Sequence, residues 1–185
     1  MGTRCNVVFS DYEDGNIAAL YIQWDGYPEG VGKQLAKILK DKWVVAGFNP
    51  SDERDLANGM ANLVVQVVHA LAVDQIADSR RMYKRLPTSY PRPRKYPLGN
   101  LYITPVSTVW GSGIDYVYTI YTIPSFKELR MHTGSLVRMR VQKTEWVARE
   151  DDPDEADLTL SAPLFDGLPS DYGVWLRKYV KEQNA

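Results

Sequence analysis

Two carboxylates, Asp25 and Glu29, stand four residues apart across a Gly-Tyr-Pro turn in Trp24-Asp25-Gly26-Tyr27-Pro28-Glu29-Gly30. A pair at this spacing can do acid–base work or hold a cation. The same groups can instead serve the backbone, Asp25 by closing the turn and Glu29 by favouring the start of a following helix. Trp24 and Tyr27 supply rings that can line a pocket or an interface, although Trp24 would serve equally well as core. Arg4 precedes the first apolar run and can reach Asp25 or Asp115 as a bidentate partner, structurally or in recognition of a phosphate or carboxylate. A small hydrolase or nucleotide-binding enzyme would draw on Arg4, Asp25, Glu29 and Asp115.

Other reactive side chains are sparse. Cys5 lies in a strand-like run, where cysteine is usually inert core, and neither His69 nor His132 is placed beside it by the sequence. Two isolated histidines and one cysteine do not form a zinc-ligand pattern, so no metal or cofactor is expected. Gly30-Val31-Gly32-Lys33 lacks P-loop spacing, and Gly111-Ser112-Gly113 lacks the strand-to-helix context of a nucleophile elbow. A second chemistry is carried by charge. Residues 80–95 hold Arg80, Arg81, Lys84, Arg85, Arg92, Arg94 and Lys95 without an acid, interleaved with Tyr83 and Tyr90. Arginines that follow phosphates and rings that stack on bases suit single-stranded nucleic acid, while a solvated helix end is the commoner use of such a run. An acidic block, Glu150 to Asp157, lacks the glycine and distal glutamate of a calcium loop and reads as an exposed connector.

The totals bound what can position these groups. At 185 residues, with 44% hydrophobic and 24% charged content, the chain can bury one core without disulfides or metals. One cysteine suits a reducing compartment. No leader-like apolar segment opens the chain, and no uninterrupted apolar run has membrane-spanning length, so a cytoplasmic protein without a membrane partner is expected. A net charge of −1 argues against a polyanionic mimic of nucleic acid.

The pattern predicts strands over residues 5–10 and 17–24 joined by an Asp-Gly hairpin, then a helix over roughly 30–42 with Val31, Leu35, Ile38 and Leu39 on one face. Residues 43–48 read as strand or tucked loop. A capped start at Asn49-Pro50-Ser51 predicts a long helix from Asp52 to about Arg85, stopped before Pro87. Strands follow over 98–108, 115–123 (tyrosines on one side) and 136–149. A helix capped by Asp171 closes the chain, with Val174, Trp175, Tyr179 and Val180 as its apolar face. The expected fold is α+β, a single domain over residues 1–185, with an antiparallel sheet, an N-terminal β-hairpin and helices packed on one face. Segments 87–97 and 150–162 are expected to be mobile.

Gly2-Thr3-Arg4 before a strand, Leu20-Tyr21, and Trp24-Asp25-Gly26-Tyr27-Pro28-Glu29-Gly30 together resemble a group of small uncharacterised phage and prophage proteins. Those open on Gly-Thr-Arg and carry His-Trp-Asp-Gly-Tyr-Pro ahead of a helix. Gly113-Ile114-Asp115-Tyr116-Val117-Tyr118 resembles a further strand motif of part of that group. The likeness spans roughly residues 2–40 and 111–121, and Gln23 stands where the group has histidine. The resemblance implies a phage accessory protein in the bacterial host cytoplasm. The family carries little mechanism over; that setting, together with an aromatic-rich loop and no catalytic set, leads to the expectation of a protein that binds a host protein or protein–nucleic-acid complex, as an inhibitor of a host defence system (anti-CRISPR-like or otherwise). The recognition patch would comprise Trp24, Asp25, Tyr27 and Glu29, with Arg4 and Asp115 beside it.

Overall fold

The computed structural model describes residues 2–11, 15–47, 52–91, 93, 100–106, 113–123, 134–148 and 156–184. In chain order the strands are β1 (Cys5–Asp11), β2 (Gly15–Ile22), β3 (Lys42–Val45), β4 (Asp55–Asn58), β5 (Leu101–Thr104), β6 (Tyr116–Thr122), β7 (Ser135–Ala148), β8 (Ala156–Leu160) and β9 (Phe165–Gly167). The helices are α1 (Lys33–Leu39), α2 (Gly59–Arg85) and α3 (Tyr172–Gln183). A π-helical turn, Pro28–Gly32, leads into α1, and a 3-10 turn, Pro169–Asp171, leads into α3.

The fold is α+β, and its sheet runs β4-β3-β7-β6-β1-β2-β5, with β8 and β9 paired to β7. The expected antiparallel sheet is corrected to a mixed one. β1 and β2 form the antiparallel hairpin, but β1 pairs with β6 in parallel, and β3 with β4 likewise. Turn chemistry reports only on neighbours in sequence. The β1–β6 pairing joins residues more than a hundred positions apart, which no hairpin signal reaches.

Strand alternation assigns the two sheet faces. Cys5, Val7 and Phe9 of β1, Tyr118 and Ile120 of β6, and Val137, Met139 and Val141 of β7 point to one side and are fully buried. All three helices cover that side, packing Val31, Leu35 and Leu39, then Met60, Leu63, Val67 and Leu71, then Tyr172 into the same core. Tyr116 and Tyr118 face this core while Tyr121 lies on the opposite face, so the tyrosines of β6 are split between the two sides. On that opposite face the Arg140 Nε pairs with Asp166 at 2.8 Å, and its guanidinium stacks over the Tyr121 ring.

The helix expected from Asp52 begins seven residues later. Asp52 instead grips Arg54 through its guanidinium and backbone, which draws the Asp52 carboxyl down to about 2. Residues 55–58 extend beside β3, and Gly59 turns into α2 with φ +78, a conformation glycine adopts without a Cβ clash. From Gly59 the helix runs unbroken to Arg85 and stops before Pro87, as the spacing predicts. An 18-residue window of α2 is long and apolar enough to cross a membrane, at a mean hydropathy of 1.4, but one stripe of the helix lies on the sheet. Two other expectations are corrected. Residues 156–160 of the supposed mobile acidic connector form β8, and Val174 of α3 is exposed while Leu176 packs inward. Asp171 makes no side-chain cap bond, because the 3-10 turn already supplies the entry to α3.

Lys42 ties this region together. Its buried ammonium donates to Asp55 Oδ1 at 2.7 Å and to Gln66 Oε1 at 2.8 Å, while Gln66 Nε2 donates to the Leu56 carbonyl. A buried cation stripped of its carboxylate costs far more than a broken exposed pair. Asp55→Ala is therefore expected to lower stability by about 1–3 kcal/mol. Asp78→Ala, which removes only the exposed Asp78–Arg81 pair, should stay within about 0.5 kcal/mol in urea unfolding.

Candidate functional site

The loop between β2 and α1 has alternate residues in and out. Trp24, Asp25, Tyr27 and Glu29 are exposed, while Gly26, Pro28 and Val31 are buried. The inward groups are held by hydrogen bonds. Tyr118 Oη donates to the Gly26 carbonyl at 2.9 Å, and Tyr172 Oη donates to the Pro28 carbonyl at 2.9 Å, both inside the protein. The Gly26 N–H donates to the Thr3 carbonyl at 3.0 Å, and the Val31 N–H to the Asp25 carbonyl at 2.9 Å.

The glycines follow from this closeness. A Cβ at Gly26 would stand 2.7 Å from the Arg4–Cys5 backbone, and one at Gly32 would overlap the Tyr172 hydroxyl. A Cβ at Gly2 would run into the Trp24 ring. Asp25 sits at φ +59, the left-handed conformation that aspartate tolerates. Asn100 brackets Trp24 from the other side. Its Oδ1 accepts from the Trp24 N–H at 2.6 Å, and its Nδ2 donates to the Trp24 carbonyl at 3.3 Å. The outward groups thus ride on a backbone fastened at several points. Trp24 is 47% exposed and Tyr27 37%.

The two carboxylates share a neighbour, since the charges of both raise the Tyr27 phenol pKa. Asp25 lies beside Tyr27 and raises its phenol pKa most, by charge, followed by burial, the hydrogen bond to Asp25 and the charge of Glu29. Glu29 stands in the first turn of the helical segment and adds negative potential to Tyr116, Tyr118 and Tyr172, whose pKa values burial raises first. Arg4 meets Asp115 through its backbone: the Arg4 N–H donates to Asp115 Oδ2 at 2.8 Å, and the Asp115 N–H returns to the Arg4 carbonyl at 3.0 Å. The Arg4 guanidinium reaches the Gly113 carbonyl at 3.5 Å, so the expected bidentate pair is replaced by a backbone clamp between β1 and β6. Among the described residues no ion pair or hydrogen bond joins Asp25 or Glu29 to Arg4. Cys5 is fully buried, and its thiol pKa is pushed up by burial and then by Asp115, the opposite of activation. His69 is exposed on α2, and His132 lies outside the described residues. Among the described residues no three His, Cys, Asp or Glu side chains cluster for a metal.

The basic segment is divided. Arg80, Arg81, Lys84 and Arg85 are exposed in the last turns of α2, and Tyr90 is exposed beyond it. Arg81 holds Asp78 at 3.0 Å. Arg92, Arg94 and Lys95 lie outside the described residues, as does most of the acidic block.

Sequence reasoning missed that these two regions adjoin. Trp24 and Asp25 form one wall of a groove of about 490 Å³, and Gln75, Asp78, Ser79 and Met82 of α2 form the other. Ile22, Val31 and Leu71 are its apolar floor. The i, i+4, i+7, i+11 spacing of Leu71, Gln75, Asp78 and Met82 was the available signal, but nothing local places that stripe opposite residue 24. On the open sheet face a shallower cavity of about 390 Å³ is bordered by Ser10, Thr119, Tyr121 and Arg140, and Asp166 already occupies the arginine. No family model, curated protein or solved structure matches the chain.

The buried phenols make stability depend on alkaline pH. The unfolded chain releases these protons near about pH 10, whereas the folded chain keeps Tyr116, Tyr118 and Tyr172 protonated to higher pH. Their contribution is complete below that pH and is lost as pH rises beyond it. Tyr118→Phe is expected to cost about 1–3 kcal/mol at pH 7, by leaving the Gly26 carbonyl without its donor, and to flatten the decline between pH 9 and 11. Urea unfolding across that range measures both.

Proposed function

We propose that this chain is a phage-encoded accessory protein that binds a host macromolecule, a protein or a protein–nucleic-acid complex, as an inhibitor of a host defence system. The observation that carries the binding role is the outward presentation of Trp24, Asp25, Tyr27 and Glu29 from a loop whose backbone is pinned by Tyr118 and Tyr172. Rings on a rigid support lose little entropy on docking, and aromatic anchors rimmed by charge are what recognition surfaces use. A catalytic role draws no support from the titratable groups around the loop. The Cys5 thiol and the phenols of Tyr27, Tyr116, Tyr118 and Tyr172 are all held in their protonated forms at neutral pH. The phage setting rests on the resemblance of the Gly-Thr-Arg and Trp-Asp-Gly-Tyr-Pro motifs. Tagged protein incubated with bacterial lysate is expected to retain a defined host component. Tyr27→Ala with Glu29→Gln should cut that retention at least tenfold, and the exposed control Val174→Ser should leave it unchanged. Equal retention by all three proteins would refute the patch.

A second reading, single-stranded nucleic-acid binding, is favoured by one observation: the exposed cations of the last turns of α2 are carried by the same helix that walls a groove containing an exposed tryptophan. It expects strand binding that weakens steeply with salt, and a mobility shift at low salt that is lost when Arg81, Arg85, Arg92 and Arg94 become alanine. No shift at low salt ends this reading.

A further inference from the structure

We infer that the outer edge of β5 is a self-association surface, where a second copy of this chain adds its own β5 antiparallel across a two-fold axis at Tyr102.

The backbone comes first. β5 ends the sheet on one side and pairs with β2 alone. The Gln23 N–H donates to the Asn100 carbonyl at 3.2 Å, which makes residues 23 and 100 a hydrogen-bonded pair. In an antiparallel ladder such pairs alternate with pairs whose N–H and C=O groups point away from each other. With Tyr21 opposite Tyr102 and Ala19 opposite Thr104, the backbones of Tyr102 and Thr104 turn to β2. Leu101 and Ile103 therefore turn theirs outward, and among the described residues no strand meets them. The opposite edge of the sheet is finished differently. There the Leu56 carbonyl of β4 accepts from Gln66 Nε2 at 2.9 Å, and the Asn58 N–H donates to Asn62 Oδ1 at 3.2 Å, so side chains of α2 cap the strand.

The side chains repeat the contrast. Ile103 is 82% exposed, the most of any large hydrophobic residue among those described. Soluble proteins guard an edge with a charge or a bulge, and β5, Leu-Tyr-Ile-Thr in unbroken register, carries neither. Pro105 bounds the edge, because the next outward position has no N–H to give.

Self-complementarity chooses the occupant. A two-fold axis at Tyr102 sets Leu101 against Ile103 of the second copy, and Ile103 against its Leu101. Each pair exchanges two hydrogen bonds, so every outward group of residues 101 and 103 is satisfied in both copies. The exposed Ile103 side chain then lies against Leu101 of the second copy, on the sheet face that holds Leu20 and Ile22. On the other face the two Tyr102 rings meet, each already 5.8 Å from its own Tyr21 ring. Pairing closes both edges, so the assembly stops at two. Asn100, next to β5, also braces Trp24, so the dimer presents that loop twice, on the order of 25 Å apart by strand rise and spacing.

The test is sedimentation equilibrium of the whole chain from about 5 to about 500 μM. So small an interface is expected to half-associate on the order of 10–100 μM. Ile103→Lys, on a side chain that the monomer does not bury, should weaken association at least tenfold. Ile103→Pro, which removes an outward N–H, should do the same, and Val174→Ser on α3 should change nothing. Tyr102→Cys gives a second readout, since the two thiols would sit on backbones about 4.5 Å apart, within reach of a disulfide. Cys5 is buried, so the introduced thiol is the accessible one. Diamide should then yield a covalent dimer of Tyr102→Cys and none of Val174→Cys. A chain that stays monomeric throughout overturns the inference. So does a dimer that both Ile103 variants leave intact, or one in which Tyr102→Cys fails to cross-link.

Discussion

Two buried phenol hydrogen bonds carry the architecture of this protein's exposed surface. Tyr118 on β6 and Tyr172 at the start of α3 each donate to a carbonyl of one short loop, Gly26 and Pro28. A buried carbonyl without a partner is costly, so the loop, the central strand and the terminal helix must assemble together. The glycines complete the constraint: at residues 26 and 32 a side chain would strike the backbone of β1 or the tyrosine itself. The motif that looks most like a recognition signature therefore does its first work inside the protein.

Because the backbone is held from within, the side chains between the anchors have no direction left but outward. That is why Trp24, Asp25, Tyr27 and Glu29 are exposed in a loop whose Gly26, Pro28 and Gly32 are buried. Rigid support and outward presentation are two results of one alternation. Asp25 and Glu29 both act on Tyr27 from this loop, and Glu29 adds its charge to the tyrosines beneath it as well.

The mixed sheet decides what the loop faces. Parallel pairing of β1 with β6 sets Arg4 against Asp115 through the backbone. The remaining face of the sheet is covered by helices, and α2, the longest of them, crosses β1 to β4 with its end beside residue 24. A motif at residues 24–30 and a basic run beginning at residue 80 become one locality by this packing.

Local physics made much of this legible in the residues alone. The alternation of β6 and β7, the apolar stripe of α2 and its stop before Pro87, the hairpin of β1 and β2, and the α+β class all follow from periods of 2 and 3.6 and from turn chemistry. So did the existence of an unusual loop at 24–30. The start of α2 was not legible, because a capped Asn-Pro-Ser pattern and a strand at 55–58 compete locally, and Lys42, through Asp55 and Gln66, settles the contest from outside. Nor were the parallel pairing, the inward role of the glycines, or the groove. Sequence by itself determined most of the long elements and the chemical identity of the exposed groups, since both depend on neighbours along the chain. Tertiary structure alone decided which of those groups share a surface, because the contacts responsible span 92 and 144 residues, and their free energy exists only once the core has closed.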